Sequence, residues 1–351
     1  MTLEMERHNV LSGEDDIFSL AKAYYTTKAM LAMWRLGLFD RAEREGELDS
    51  AAIAAEWGVH EELVRPLFNY LIVRGFLEYT TRGTVRLTQR GHDAYPYRGY
   101  LSTMVGAYEP VFDQLEAIVT GAVTYGTDLT RSHEEMVRGL TALEDKMMGT
   151  VTKAVLDINA RKVLDLGCGS ARMLARMCEL DPTLRAVGVD RDPTSCAVAR
   201  ETVEVCGLSD RMSIITGDAF DITMLPVDVL SGVDTVTVMF LLHEVLRQRG
   251  REGTVRLLGE IAALVGPRGR LVMVEVSGTI KHEYREKQLF VPEYELLHEY
   301  TNQRLAARPE WEAMVSEAGM AVVDVLPVDM CQSFCMVAAP ISAEPINPDE
   351  Q

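Results

Sequence analysis

From residue 162 onward the chain alternates short apolar runs with helical stretches. No other feature constrains the fold as tightly. The runs read KVLDLGC, RAVGVD, MSIITGD, VDTVTVMF, GRLVMVEV, AVVDVLPV and FCMVAA. Apolar runs joined by helical crossovers predict a parallel α/β sheet covered on both faces. Only the polar break DMCQ separates the last two runs, which predicts an antiparallel hairpin closing the sheet.

The first part of the chain has a different rhythm. DIFSLAKAYYTTKAMLAMWRLGLFD has helical apolar spacing, with Gly37 near its end. DSAAIAAEWGVHEELVRPLFNYLIVRGFLE predicts two short helices about Gly58, the first capped by Asp49 or Ser50, the second followed by Gly75. FLEYTTRGTVRLT predicts a hairpin turning near Arg82 and Gly83. Helix, turn, helix and wing make a winged-helix module. Its second helix has few cations, so packing and dimerisation are expected of it rather than DNA reading.

Charge and length narrow the partners. With 53 acidic against 35 basic side chains, the net charge of −18 disfavours nucleic acid and anionic membrane. No apolar stretch reaches the roughly 18 residues of a membrane span. The N-terminus lacks a signal pattern, and the six cysteines form no CxxC pair, so a reduced, cytoplasmic protein is expected. The expected organisation is a winged-helix dimerisation domain over 1–100 and linking helices lining the active site over 101–155. A catalytic α/β domain over 156–340 and a flexible tail over 341–351 follow.

VLDLGCGSARML is a strand, a glycine turn and a helix, with Gly167 and Gly169 where the backbone must turn sharply. Ligands of such sheets bind at the carboxyl ends of the strands. A dinucleotide fingerprint needs a third glycine where Arg172 stands, and no Gly-Lys-Ser/Thr follows. Asp165 beside the turn repels pyrophosphate and suits a cation. S-adenosylmethionine, with an ammonium and a sulfonium, fits. Asp190 ends the second strand, where an acid can take both ribose hydroxyls; Asp218 ends the third and can accept from an adenine amino group.

These residues resemble the class I S-adenosylmethionine-dependent methyltransferases over roughly 155–340. The resemblance implies a Rossmann-like seven-stranded domain and cofactor contacts at Asp165, Gly167, Gly169, Asp190, Asp218 and Ala219. The N-terminal module resembles the dimerisation domain of small-molecule O-methyltransferases, which implies a homodimer whose module lids the active site.

FLLHEVLRQ (240–248), into which the fourth strand is expected to run as VDTVTVMFLLHE, and ELLHEYTNQ (295–303) each carry a His-Glu pair at the end of an apolar run. In the O-methyltransferases the first stretch typically reads Leu-His-Asp-Trp, and its histidine deprotonates an acceptor hydroxyl. Here Glu244 replaces the acid and Val245 the tryptophan. A neutral imidazole suits that role. His298 falls in a helical stretch after the fifth strand, where that family commonly has an apolar residue. Two imidazoles facing one pocket are the minimum protein shell of a metal site, completed by substrate and water. Glu244 and Glu299 are candidates for a third ligand or for acceptors of the ring N–H groups.

The pair His243 and His298 resembles a narrower group, the metal-dependent C-methyltransferases of 2-oxo acids such as phenylpyruvate, branched-chain oxo acids or 2-ketoarginine. GAYEPVF, YGTDLTR and LLHEYTNQ are most similar to the 2-ketoarginine type. The resemblance implies one metal ion, iron or zinc, on the two histidines, and methylation at the β-carbon of the oxo acid through a metal-chelated enolate. Other members have His-Asp where this chain has His-Glu, so the acid's role is open: Glu244, Glu299 or a metal-bound hydroxide can take the proton. Arg131 is a candidate carboxylate or loop anchor, and Glu109, Asp113 and Glu116 are candidate receivers of a guanidinium. The alternatives are a metal-free O-methyltransferase with His243 as base and, from another class, a catalytically silent winged-helix regulator. The remaining histidines (8, 60, 92, 133 and 282) have no paired spacing and are expected on the surface or in turns.

Overall fold

The computed structural model describes residues 17–278, 291–330 and 332–341. His8, His282, Cys331 and the expected flexible tail from 342 lie outside the described residues. Two compact units emerge. One takes the chain up to Asp113 with Arg131–Leu143; the other takes Gln114–Thr130 and the chain from Glu144 on. The linking segment expected over 101–155 is thus shared between the two units rather than a body of its own.

In the first unit, helices Ile17–Arg35, Leu38–Glu45, Ser50–Trp57 and Glu61–Val73 precede a hairpin of β1 (Leu77–Tyr79) and β2 (Val85–Leu87). Asp49, not Ser50, is the cap: its carboxylate accepts from the amides of Ala51 at 2.9 Å and Ala52 at 3.3 Å. Gly58 ends that helix at φ 67°. Leu31, Met33, Phe39, Ile53, Phe68 and Leu71 are fully buried and make the module's core. His60, His92 and His133 are exposed, as expected. Leu101–Gly106 forms a π-helix, and its Ser102 Oγ donates, as Arg35 Nε does, to the buried Glu135.

In the second unit the seven apolar runs become β3 (Lys162–Leu166), β4 (Arg185–Asp190), β5 (Met212–Thr216), β6 (Thr235–Met239), β7 (Arg270–Val276), β8 (Met320–Pro327) and β9 (Ser333–Pro340). They pair in the order β5-β4-β3-β6-β7-β9-β8. The first five are parallel; β9 runs antiparallel between β7 and β8, so the expected hairpin closes the sheet. Because β4 lies on one side of β3 and β6 on the other, the chain reverses its winding at β3. The carboxyl ends of β3 and β6 therefore border the crevice where such sheets take ligands.

Side chains on the sheet alternate between two cores. Leu271 and Met273 of β7 face a cluster that includes Leu242, Val245, Leu258 and Trp311, whereas Val272 and Val274 face one with Leu174, Met177 and Cys196. The parallel strands have no room for bulk at Gly188. An added Cβ there would lie 2.7 Å from Cys168 Sγ, inside the glycine turn, and 3.0 Å from Ile214 Cδ1. Gly188→Ala is therefore expected to lower the unfolding free energy by about 1–3 kcal/mol, read as a lower urea midpoint with an unchanged slope.

Candidate active site

The glycine turn after β3 takes positive φ at both glycines of the motif. Gly167 has φ 80° and an added Cβ would sit 3.3 Å from Leu241. Gly169 has φ 51°, but no atom lies within 4 Å of its missing Cβ, so its requirement is conformational. Asp190, at the end of β4, pins the turn: Oδ2 accepts from the Gly169 amide at 3.0 Å and Oδ1 from the Asp192 amide at 2.9 Å. Asp218 accepts from the Phe220 amide at 2.9 Å and from Arg249 Nη2 at 3.2 Å, and Ala219 beside it is buried. Arg249 as a partner of Asp218 had no signal in the strand-end pattern, since it comes from the helix beyond β6.

Asp165 is a buried carboxyl that accepts a 2.6 Å hydrogen bond from Thr237 Oγ1 of β6. Burial pushes its pKa up to about 7; the Thr237 bond opposes the rise and the charge of Asp190 adds to it.

The first histidine is not on a strand. β6 ends at Met239, Phe240 takes φ 50°, and the helix Leu242–Val265 begins two residues later. The sequence reading ran the strand straight through to Glu244. The left-handed Phe240 instead turns the chain back, held by its amide to the Val274 carbonyl at 2.8 Å, and puts His243 in the first helical turn. That helix is broken at Gly250 (φ 68°).

Glu275 of β7 meets His243 from the neighbouring strand. It follows Leu271 and Met273 on the face that the helix from Leu242 covers, and it is wholly buried. Its Oε2 lies 2.8 Å from His243 Nδ1 and its Oε1 accepts from the His243 amide at 3.3 Å. A carboxylate only accepts, so Nδ1 carries the hydrogen and, in the neutral ring, Nε2 carries the lone pair. His298, in the helix Val291–Glu299, is set the same way: its Nδ1 donates to the Tyr294 carbonyl at 2.6 Å. The two rings, 4% and 7% exposed, have centroids 5.5 Å apart and planes at 82°. The structure thus brings His243 and His298 together. It corrects the expected acceptors of their N–H groups. Those are Glu275 and a backbone carbonyl, not Glu244 or Glu299; the latter is exposed at the helix end. Glu275 did leave a signal, a lone acid inside the apolar run GRLVMVEV.

Glu244 stands beside the pair and accepts from Gln303 Nε2 at 3.3 Å, with Arg191 Nη2 at 3.7 Å from its other oxygen. Arg131 belongs to the first unit, where Nη1 donates to the Tyr108 hydroxyl at 3.2 Å. Glu109, also of that unit, is paired with Lys28 and Arg35.

The Asp165 geometry carries a pH signature. Its carboxyl titrates near 4 in the unfolded chain, about 3.9, and at about 7 in the fold. The folded state therefore holds a proton that the unfolded state loses between these values, and stability is lost as pH rises through 7. Asp165→Asn, which keeps an acceptor for Thr237, is expected to stabilise the ligand-free protein. The gain at pH 8 should exceed that at pH 5 by on the order of 2 kcal/mol, measured by urea unfolding at both pH values.

Comparison with known proteins agrees with this architecture. Residues 159–319 match the model of a methyltransferase domain, and residues 18–98 that of an O-methyltransferase dimerisation domain. The chain is similar to a 2-ketoarginine methyltransferase of Streptomyces arginensis, 27% identical over 87% of this chain and 86% of the relative. It is similar to a mitomycin biosynthesis 6-O-methyltransferase of Streptomyces lavendulae, 23% identical over 90% of this chain and 91% of the relative. Among solved structures, an O-methyltransferase family protein from Burkholderia thailandensis shares the fold with a TM-score of 0.69 at 19% identity, covering 95% of this chain and 100% of that one. Taken together, the two matched domains, the sheet order and the glycine turn show that the chain belongs to the S-adenosylmethionine-dependent methyltransferases built on an O-methyltransferase dimerisation domain.

Proposed function

We propose that this enzyme moves the methyl group of S-adenosylmethionine to the β-carbon (C-3) of a small 2-oxo acid, with 2-ketoarginine (5-guanidino-2-oxopentanoate) as the favoured acceptor. The observation that carries the reading is the matched setting of His243 and His298. Each donates from Nδ1 to a fixed acceptor, so each keeps a lone pair on Nε2, and the rings are 5.5 Å apart. Metal-bound histidines use this arrangement, because the second hydrogen bond fixes the tautomer and raises ligand basicity. Imidazole binds such ions at about 2.0–2.1 Å, which sets ring centres on a shared ion roughly 5 Å apart. The donor set fits iron or zinc. Among the described residues no group of three His, Cys, Asp or Glu is assembled for an ion, so acceptor oxygens and water would complete the shell.

A ketone's neighbouring carbon is a poor nucleophile until it enolises. The bound ion would supply polarisation of the keto group and charge stabilisation at its oxygen. Glu244, beside His243, is the base we assign to the C-3 proton. Gly167 and Gly169 give the cofactor backbone room, Asp190 takes the ribose hydroxyls, and Asp218 with Ala219 takes the adenine. Asp165 faces the cationic end, where its charge offsets a nearby ammonium. The resemblance to the 2-ketoarginine methyltransferase supports the choice of acceptor.

A metal-free O-methyltransferase is the second reading. The Glu275 carboxylate on His243 Nδ1 favours it, since a general base needs the same orientation. The two readings part on His298, which the second does not use. Purified enzyme with S-adenosylmethionine and a panel of 2-oxo acids, followed by mass spectrometry, is expected to add one methyl to ketoarginine. Chelation or His298→Ala should cut the rate at least about 100-fold. Undiminished transfer to a hydroxyl acceptor after chelation and in His298→Ala would overturn the metal reading.

The N-terminal unit also supports a homodimer. Ile17, Phe18, Leu20, Tyr24 and Tyr25 of the first helix are each more than half exposed, an apolar surface that water disfavours. Leu20→Glu is expected to shift the protein from dimer to monomer in light scattering; a monomeric wild type would contradict the assignment. Among the described residues no helix is long and apolar enough to cross a membrane.

A further inference from the structure

The turn after the second histidine carries a buried polar side chain that no reading of the sequence used. Gln303 is 6% exposed. Its amide nitrogen lies 3.4 Å from His243 Nε2 and 3.3 Å from Glu244 Oε1. Both partners accept: the Glu244 carboxylate has no hydrogen, and His243 carries its own on Nδ1. Two acceptors on one side of the amide fix its orientation, with the NH2 group toward them and the oxygen 3.2 Å from the Thr301 hydroxyl. The backbone holds this position, because the Gln303 amide donates to the His298 carbonyl at 3.0 Å.

We propose that Gln303 is a positioning residue that fixes the His243 imidazole and the Glu244 carboxylate in one relation, and that Asn302 makes this relation depend on the Tyr125–Leu129 loop. Asn302 stands at φ 55°. Its Nδ2 donates to the Tyr125 carbonyl at 3.2 Å, and its Oδ1 accepts from Arg247 Nη2 at 3.4 Å. The loop is closed on itself by the Gly126 amide bonded to the Leu129 carbonyl at 2.8 Å. Adjacent residues thus both reach the helix from Leu242, Gln303 at His243 and Glu244 and Asn302 at Arg247, and Asn302 also holds the loop. Any partner that takes the His243 lone pair must displace the Gln303 amide, which then has Glu244 as its remaining acceptor. The amide therefore turns the arrival of a partner at His243 into a tighter hold on Glu244.

This inference rests on the reading that His243 and Glu244 face the acceptor, and the test separates the two. Gln303→Met keeps the volume and removes the amide. With ketoarginine as the probe it is expected to lower kcat about 10–100-fold, with the KM for S-adenosylmethionine and the melting temperature unchanged. Gln303→Glu, which sets a second carboxylate against Glu244, should lose more than Gln303→Met. Asn302→Gly, which tolerates the same φ, should reproduce part of the kcat loss. In the ligand-free protein, the 15N signal of His243 Nε2 should move in Gln303→Met while that of His298 stays. A wild-type kcat and an unmoved His243 signal in Gln303→Met overturn the proposal. So does a loss of kcat that comes with equal losses of cofactor binding and melting temperature. A wild-type kcat in Asn302→Gly overturns the loop coupling. Full activity in His243→Ala would instead overturn the underlying reading, whatever Gln303 does.

Discussion

The hydrogen bond between Glu275 and His243 organises the centre of this enzyme. A carboxylate buried in an apolar strand costs several kcal/mol, roughly, unless hydrogen bonds answer it. Here both oxygens are answered, one by the ring and one by the backbone amide of the same histidine. Three local facts make the bond form. β7 lies beside β6, alternation turns Glu275 to the face covered by the next helix, and Phe240 reverses the chain so that the helix starts above it. The bond then decides which nitrogen of His243 keeps its lone pair, and thereby what the site can hold.

The second histidine reaches the same chemical state by a different route. A backbone carbonyl one helical turn earlier sets His298, and Tyr294, which supplies that carbonyl, also stacks on its ring at 5.8 Å between centroids. One imidazole is therefore fixed by the sheet and the other by its own helix. Their approach joins the strand-end crevice to the segment from 291 to 303. The same segment continues into Gln303, so histidine, amide and acid are connected through adjoining stretches of one unit.

Much of this was legible in the sequence. Strand positions follow from apolar runs of the right length, and all seven runs became strands within a few residues of their sequence limits. The hairpin of β8 and β9 was legible because a break as short as DMCQ cannot hold a crossover helix. The glycine turn was legible because φ above zero is a local demand. What escaped is tertiary. Glu275 is 32 residues from its partner, so nothing local marks it beyond its lone charge in an apolar run. Phe240 adopts a conformation that its side chain does not announce, and the fourth strand was read too long for that reason. Gln303 gains meaning only from the tautomer of a ring on another element. The interval 101–155 was read as one linking segment, but its helical pattern holds no information about which unit each helix joins.

The chemistry of the site depends on the protonation pattern of two rings. Long-range 1H–15N correlation spectra of the ligand-free protein read it directly, with His243 and His298 assigned by substituting each in turn among the seven histidines. Both rings are expected with the hydrogen on Nδ1 and an unprotonated Nε2. A hydrogen on Nε2 of either ring would contradict this, because that nitrogen would then have no lone pair for an ion.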